Sequence, residues 1–162
     1  MSEEVKVGIS DYKITRNPNK LTTLGLGSCI AIIVYDEKSH LGGLSHIMLP
    51  DSEVFKARSQ LKQEKFADLA LPKMIQEMRQ QEPRGKFVAK MAGGASMFNF
   101  NEGSKAPNIG ERNIIAVTTV LEKLKIPLLS SHTGGNMGRS LIVDLTTLSV
   151  KVKLVNRDII EL

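Results

Sequence analysis

The sequence predicts an α+β fold, a largely antiparallel or mixed sheet system with helices packed outside it. Two observations carry this. The elements run as several strands, a helix, a strand, a second helix and then strands again, without the regular alternation that builds a parallel doubly wound sheet. The apolar residues, 41% of 162, suffice for one core of ordinary domain size, so a single domain over residues 1–162 is expected. With 5 Phe, 2 Tyr and no Trp, that core is aliphatic.

Residues 5–14 alternate loosely and end at Asn17-Pro18-Asn19, a turn signal, which predicts a first strand. Residues 21–24 form a short second strand before Gly25-Leu26-Gly27-Ser28. The β-branched run 30–35 is the length of a buried strand. Residues 36–43 turn, and residues 44–49 are a further apolar strand closed by Pro50-Asp51-Ser52. A helix is expected over about 63–80, where Leu71, Met74, Ile75 and Met78 recur at i, i+3, i+4 and i+7. Pro72 requires either that the regular helix start just before it or that the helix bend there. Residues 87–91 predict a strand before Gly93-Gly94-Ala95, a tight turn, and an Asn- and Gly-rich loop follows. A second helix runs from Asn108 or Gly110 to Lys125, buries Ile114, Val117, Leu121 and Leu124, and stops at Pro127. Strands at 128–132, 140–145 and 150–154 complete the chain, the last two joined at Thr146-Thr147.

One cysteine excludes an internal disulfide and a thiolate-rich zinc site, and suits a reducing compartment. The start of the chain is charged, without the apolar stretch of a signal peptide. No apolar run approaches the roughly 18 residues that span a bilayer. A cytoplasmic protein with no membrane insertion is therefore expected. The net charge of +5 is dispersed along the chain. Aromatic platforms for bases are missing, which argues against a nucleic-acid partner and for an acidic protein partner.

The candidate chemistry lies between residues 22 and 52. Cys29 follows a Gly-x-Gly-Ser turn and precedes a strand. Glycines allow a sharp turn and close approach of substrate, and amides near Gly27, Ser28 and Cys29 can converge on an oxyanion. Free cysteine is equally at home as a small buried hydrophobe. A nucleophilic thiol needs a base. His40 lies in a polar turn and reads as a solvated surface residue, and His132, beside Thr133-Gly134-Gly135, reads as structural or as lining a cleft. His46 lies on the strand after the Cys29 strand, where a hairpin would bring its imidazole to the start of that strand. A third group would orient the imidazole, and Thr22, Thr23, Ser28 and Ser45 are open candidates. The Gly-Leu-Gly-Ser string lacks the lysine of a phosphate loop and precedes a strand rather than a helix. Cys–His chemistry of this kind serves amide hydrolysis, and would serve a thiol peptidase or acyltransferase as well.

Five motifs stand in order along nearly the whole chain: Thr23-Leu-Gly-Leu-Gly-Ser-Cys29; Gly43-Leu-Ser-His46-Ile-Met-Leu-Pro50; Lys90-Met-Ala-Gly-Gly-Ala-Ser-Met97; Asn108-Ile-Gly-Glu-Arg-Asn113; and Thr133-Gly-Gly with Gly138-Arg139. In these the chain resembles the CheD family, the chemoreceptor glutamine deamidases of bacterial and archaeal chemotaxis. The resemblance implies a β-sandwich with flanking helices, similar to the catalytic domain of deamidating bacterial toxins. It implies a catalytic Cys29, His46 and Thr23, a thioester route from glutamine to glutamate, and no cofactor. It implies chemoreceptor cytoplasmic helices as substrate. A second role is also implied, as a regulator that binds and stimulates the CheY-phosphate phosphatase CheC; Met97, Phe98 and Phe100 would form the partner patch or fold back into the core. Two positions depart from the family pattern: His132, where an acidic or polar residue is expected, and Thr146-Thr147-Leu148, which lacks the glycine expected in the last hairpin.

Overall fold

The order of strands and helices, and the burial of each, follow from one strand that is covered on both sides. In the computed structural model, which describes residues 2–55, 61–96 and 108–162, the run 30–36 is buried at every position. Its even-numbered residues Ile30, Ile32 and Val34 pack toward the helices. Its odd-numbered residues Ala31, Ile33 and Tyr35 pack toward a second sheet. A strand covered on both faces has no polar face to show, so it reads as a continuous apolar run rather than an alternation.

In chain order the described strands are β1 (Glu4–Lys6), β2 (Asp11–Arg16), β3 (Lys20–Leu26), β4 (Ile30–Asp36), β5 (Leu41–Ile47), β6 (Phe87–Gly93), β7 (Leu128–Thr133), β8 (Arg139–Asp144), β9 (Ser149–Leu154) and β10 (Ile159–Glu161), with helices α1 (Ala67–Gln81) and α2 (Ile109–Lys123). They form two five-stranded sheets, β1-β3-β8-β9-β10 and β2-β5-β4-β6-β7. Most pairs are antiparallel, but β1 with β3 and β6 with β7 are parallel. The β6–β7 pair is joined by the crossover through α2, as parallel neighbours require. The sheets face each other across Leu21, Leu26, Ile33, Leu44, Leu141, Val143, Val150 and Val152. On the other face of the second sheet, α1 lays Leu71, Met74, Ile75 and Met78 on the core, the face the periodicity predicts, and α2 adds Val117 and Leu121. The architecture is α+β: a mixed sandwich with both helices on one side.

Several boundaries differ from expectation, each for a physical reason. The single strand expected over 5–14 is two strands on different sheets. The chain crosses between them at Val7–Ser10, where Gly8 and a left-handed Ser10 (φ 58°) break the extended run. The turn expected over 36–43 is shorter, because Gly42 and Gly43 belong to β5. A Cβ at Gly42 would lie 2.5 Å from the Leu145 side chain and one at Gly43 2.8 Å from the Met78 sulfur, so packing, not turning, requires both glycines. Residues Gln63–Lys65 form a separate 3₁₀ turn, and Phe66, in extended conformation, caps α1. Pro72 is inside that helix, where its missing N–H costs the bond to the Asp68 carbonyl. In the β8–β9 turn Leu148 takes φ 60°, the left-handed conformation that a glycine would adopt at less cost. The short β10 was not expected: three residues at the sheet edge, exposed or half-buried, leave no pattern to read. Met97, Phe98 and Phe100 lie outside the described residues.

Ile33→Ala should remove contacts on the inter-sheet side of β4 alone. The expected outcome in urea unfolding is a loss of about 2–5 kcal/mol with an unchanged m-value.

Candidate functional site

The site is built where the crossing segment Val7–Ser10 passes from one sheet to the other. Val7 N–H donates to the Thr22 carbonyl of β3 (2.8 Å), and Ser10 N–H donates to the His46 carbonyl of β5 (2.9 Å). The segment therefore holds these two strands of opposite sheets in fixed relation. Between them, Thr23 Oγ1 lies 2.7 Å from His46 Nδ1 and 2.6 Å from the Val7 carbonyl oxygen. Thr23 is 1% exposed and His46 2%.

The proton positions follow from counting. A carbonyl can only accept, so the single hydroxyl proton of Thr23 goes to Val7. The Thr23 oxygen is then an acceptor toward His46, and Nδ1–H must be the donor. Neutral His46 consequently carries its lone pair on Nε2. That atom is buried and has no hydrogen-bond partner among the described residues. An unsatisfied buried acceptor of this kind costs stability.

Strand register places His46 and Cys29 on the same face. His46 pairs with Ala31 across β5 and β4, and Ala31 and Cys29 share the inter-sheet cluster. Cys29, one residue before β4, is thus diagonal to His46 on one face of adjacent strands, a position where Cβ atoms are about 7 Å apart. The parity that selects Thr23 rejects Thr22 and Ser45. Thr22 faces away and donates to Glu4 (3.2 Å). Ser45 is paired with Ile32, a helix-side residue of β4.

Burial keeps both groups neutral at rest. It lowers the His46 pKa to about 4, below the usual 6.5. It raises that of the Cys29 thiol, against an opposing pull from the residue's own backbone amide. At rest, therefore, the thiol is protonated and the imidazole neutral.

The turn that carries the thiol is held from behind by three consecutive carbonyls. Gly27 O accepts from Ala95 N–H (2.9 Å) and Cys29 O from Gly94 N–H (2.9 Å). Ser28 O accepts from the side-chain amide of Asn113 (2.9 Å). This explains motifs distant in sequence. A Cβ on Gly93 (φ 119°) would lie 2.1 Å from the Cys29 carbonyl oxygen, and one on Gly110 would lie 2.6 Å from the carbonyl oxygens of Gly94 and Ala95. The Gly93-Gly94 pair, expected only as a tight turn, is the wall against which the Cys29 turn rests. Arg139, 4% exposed, spans the sheets at the same end and donates to the carbonyls of Gly93, His132 and Gly134.

His132 pairs with Ala92, two strands from Ala31, and is half-buried with Nδ1 unpartnered among the described residues. It does not join the Thr23–His46 pair. His40 departs from expectation: its Nδ1 is 2.6 Å from the Leu145 carbonyl oxygen, so it ties two turns together rather than facing solvent. Asn113 is the residue that sequence reading missed. It was a polar position on the apolar stripe of α2, four residues before Val117 and eight before Leu121.

A family model described as CheD chemotactic sensory transduction matches residues 48–154. The chain belongs to the CheD family. Two proteins named probable chemoreceptor glutamine deamidase CheD illustrate the relationship. The one from Clostridium botulinum (strain Eklund 17B / Type B) is 48% identical over 163 residues, 98% of each chain. The one from Clostridium kluyveri is 46% identical over 162 residues, 99% of this chain and 98% of its own. The family-model match begins just past His46, so Thr23, Cys29 and His46 lie outside it, whereas the matches to these CheD relatives span nearly the entire chain. Among the described residues no helix is long and apolar enough to cross a membrane, and no three His, Cys, Asp or Glu gather in a metal-holding group.

The buried neutral imidazole makes stability depend on pH. Between pH 6.5 and 4 an unfolded His46 binds a proton that the folded one refuses, so stability falls as pH drops through that window. The contribution is about 3 kcal/mol. His46→Gln should lack it, so urea unfolding of both proteins at pH 7 and pH 4 should give a wild-type loss larger by roughly that amount. Gly93→Ala should displace the Cys29 turn; we expect faster alkylation of the exposed thiol and a lower melting temperature.

Proposed function

We propose that this CheD-family protein is a cytoplasmic chemoreceptor glutamine deamidase, with Cys29 as nucleophile, His46 as general base and Thr23 as the residue that orients the base. The observation that carries the proposal is the Thr23–His46 hydrogen bond, which commits Nδ1–H and leaves the lone pair on Nε2. The names of the full-length relatives support the substrate class.

On this reading the reaction is a two-step acyl transfer through a thioester. A glutamine carboxamide from a receptor helix enters beside Cys29. Nε2 of His46 takes the thiol proton as sulfur attacks the carboxamide carbon. The developing oxyanion is met by the N–H groups of Ser28 and Cys29. The carbon–nitrogen bond breaks, the imidazolium returns its proton to nitrogen, and ammonia leaves a thioester. Water, deprotonated by Nε2, attacks the thioester and releases glutamate and the free thiol. Water and glutamine are consumed, and glutamate and ammonia are formed. Desolvation that holds His46 neutral at rest keeps its lone pair available at neutral pH. The net charge of +5 suits receptor helices rich in acidic adaptation sites.

The test is conversion of glutamine to glutamate in a receptor cytoplasmic fragment, followed by peptide mass spectrometry. Cys29→Ala should abolish conversion. Thr23→Val should lower kcat by roughly 10²-fold, the lower range of a general base contribution, while Thr23→Ser retains most of it. Equal conversion by wild type and Cys29→Ala would sink the proposal.

A further inference from the structure

The three carbonyls behind the Cys29 turn are not equivalent. In a trans peptide the C=O and the following N–H point in opposite directions, and the peptides of this turn are trans. The bond to Gly27 O therefore sets the direction of Ser28 N–H, and the bond to Ser28 O sets that of Cys29 N–H. The first is made by backbone, from Ala95. The second is made by a side chain, from Asn113 on α2.

Asn113 is fully buried. Its amide nitrogen has two protons and both are used: one on Ser28 O (2.9 Å) and one on Met48 O (3.1 Å). The assignment of nitrogen and oxygen is dictated by these partners, because a flipped amide would set its oxygen against two carbonyls. Met48 is two residues past His46 and Ser28 one before Cys29. A single NH₂ group thus ties the segment carrying the base to the segment carrying the thiol. Its own Oδ1 is buried without a partner among the described residues, a cost that packing alone does not require.

We propose that Asn113 is a positioning residue. By holding the Ser28 carbonyl it aims Cys29 N–H at the oxygen of the reacting carbonyl, and by holding Met48 it keeps that donor in register with His46. The inference rests on the reading of Cys29 as nucleophile, and deepens it.

The test separates attack that needs an oxyanion donor from attack that does not. Acylation of Cys29 by p-nitrophenyl acetate forms a tetrahedral oxyanion, then a thioester, and releases p-nitrophenol. Alkylation by iodoacetamide displaces iodide with no oxyanion. Both are measured on the full chain, with Cys29→Ala as background, for wild type, Asn113→Ala and Asn113→Gln. Folding of each is checked by circular dichroism and a cooperative melt. The expected result is an acylation-to-alkylation ratio about 10-fold lower or more in Asn113→Ala, toward the 10²–10³-fold of a lost oxyanion donor, with partial recovery in Asn113→Gln. A ratio within threefold of wild type in folded Asn113→Ala, or two rates that change in parallel, would overturn the proposal. If Asn113→Ala does not fold, Asn113→Leu, which is similar in size and has no donor, is measured in the same way and decides by the same threefold limit. Receptor deamidation is assayed alongside. A wild type that acylates Cys29 but leaves receptor glutamines intact defeats the deamidase reading while the ratio still judges Asn113. A wild type that does not acylate above background defeats both.

Discussion

Thr23 has one hydroxyl proton, and the Val7 carbonyl takes it. The state of His46 follows from that commitment. Its Nδ1 must donate, and its Nε2 carries the lone pair, buried without a partner among the described residues. The bond also joins the two sheets, since Thr23 belongs to one and His46 to the other. The segment between β1 and β2 makes this possible by leaving one sheet at Val7 and entering the other beside Ser10, with backbone bonds to Thr22 and His46 on the way. One crossing of the chain thus packs the sandwich and sets the tautomer of the buried His46 side chain.

Behind the thiol a second device works by close approach. Gly93, Gly94 and Gly110 stand where any side chain would strike a neighbour: the Cys29 carbonyl for Gly93, Ile114 and Ile30 for Gly94, and the Gly94–Ala95 carbonyls for Gly110. Their absence of a Cβ lets three backbones stack. Asn113 and Arg139 then satisfy carbonyls that this stacking removes from water. At this end of the sandwich the Ser28 and Gly93 carbonyls are paired, while His46 Nε2, Asn113 Oδ1 and Arg139 Nε are buried without partners among the described residues.

Much of this was legible in sequence. The run at 30–36, the α1 stripe of Leu71, Met74, Ile75 and Met78, and the α2 positions Val117 and Leu121 were readable because burial imposes a period on local sequence. The Gly-x-Gly-Ser turn before Cys29 and the short connection to the strand of His46 were local too, so a thiol and an imidazole on adjacent strands could be inferred. The split between β1 and β2 was not readable. Residues 5–14 look extended throughout, and nothing within them says that the two halves join different sheets. Leu148 in a left-handed turn and the short edge strand β10 were missed for a related reason: each is sustained by neighbours rather than by its own preference.

The sequence by itself determined the fold class, the faces of both helices, the double burial of β4 and the candidacy of Cys29 and His46, because each is written in residue type and spacing over a dozen positions. By resemblance it also singled out Thr23. Only the tertiary structure decided why Thr23 and not Thr22 meets the imidazole, which ring nitrogen carries the proton, and that Asn113 lies beneath the Cys29 turn. Those depend on register between strands of two sheets and on a helix more than eighty residues away. Contacts across such separations are set by how the layers pack, and leave no local period for a sequence to display.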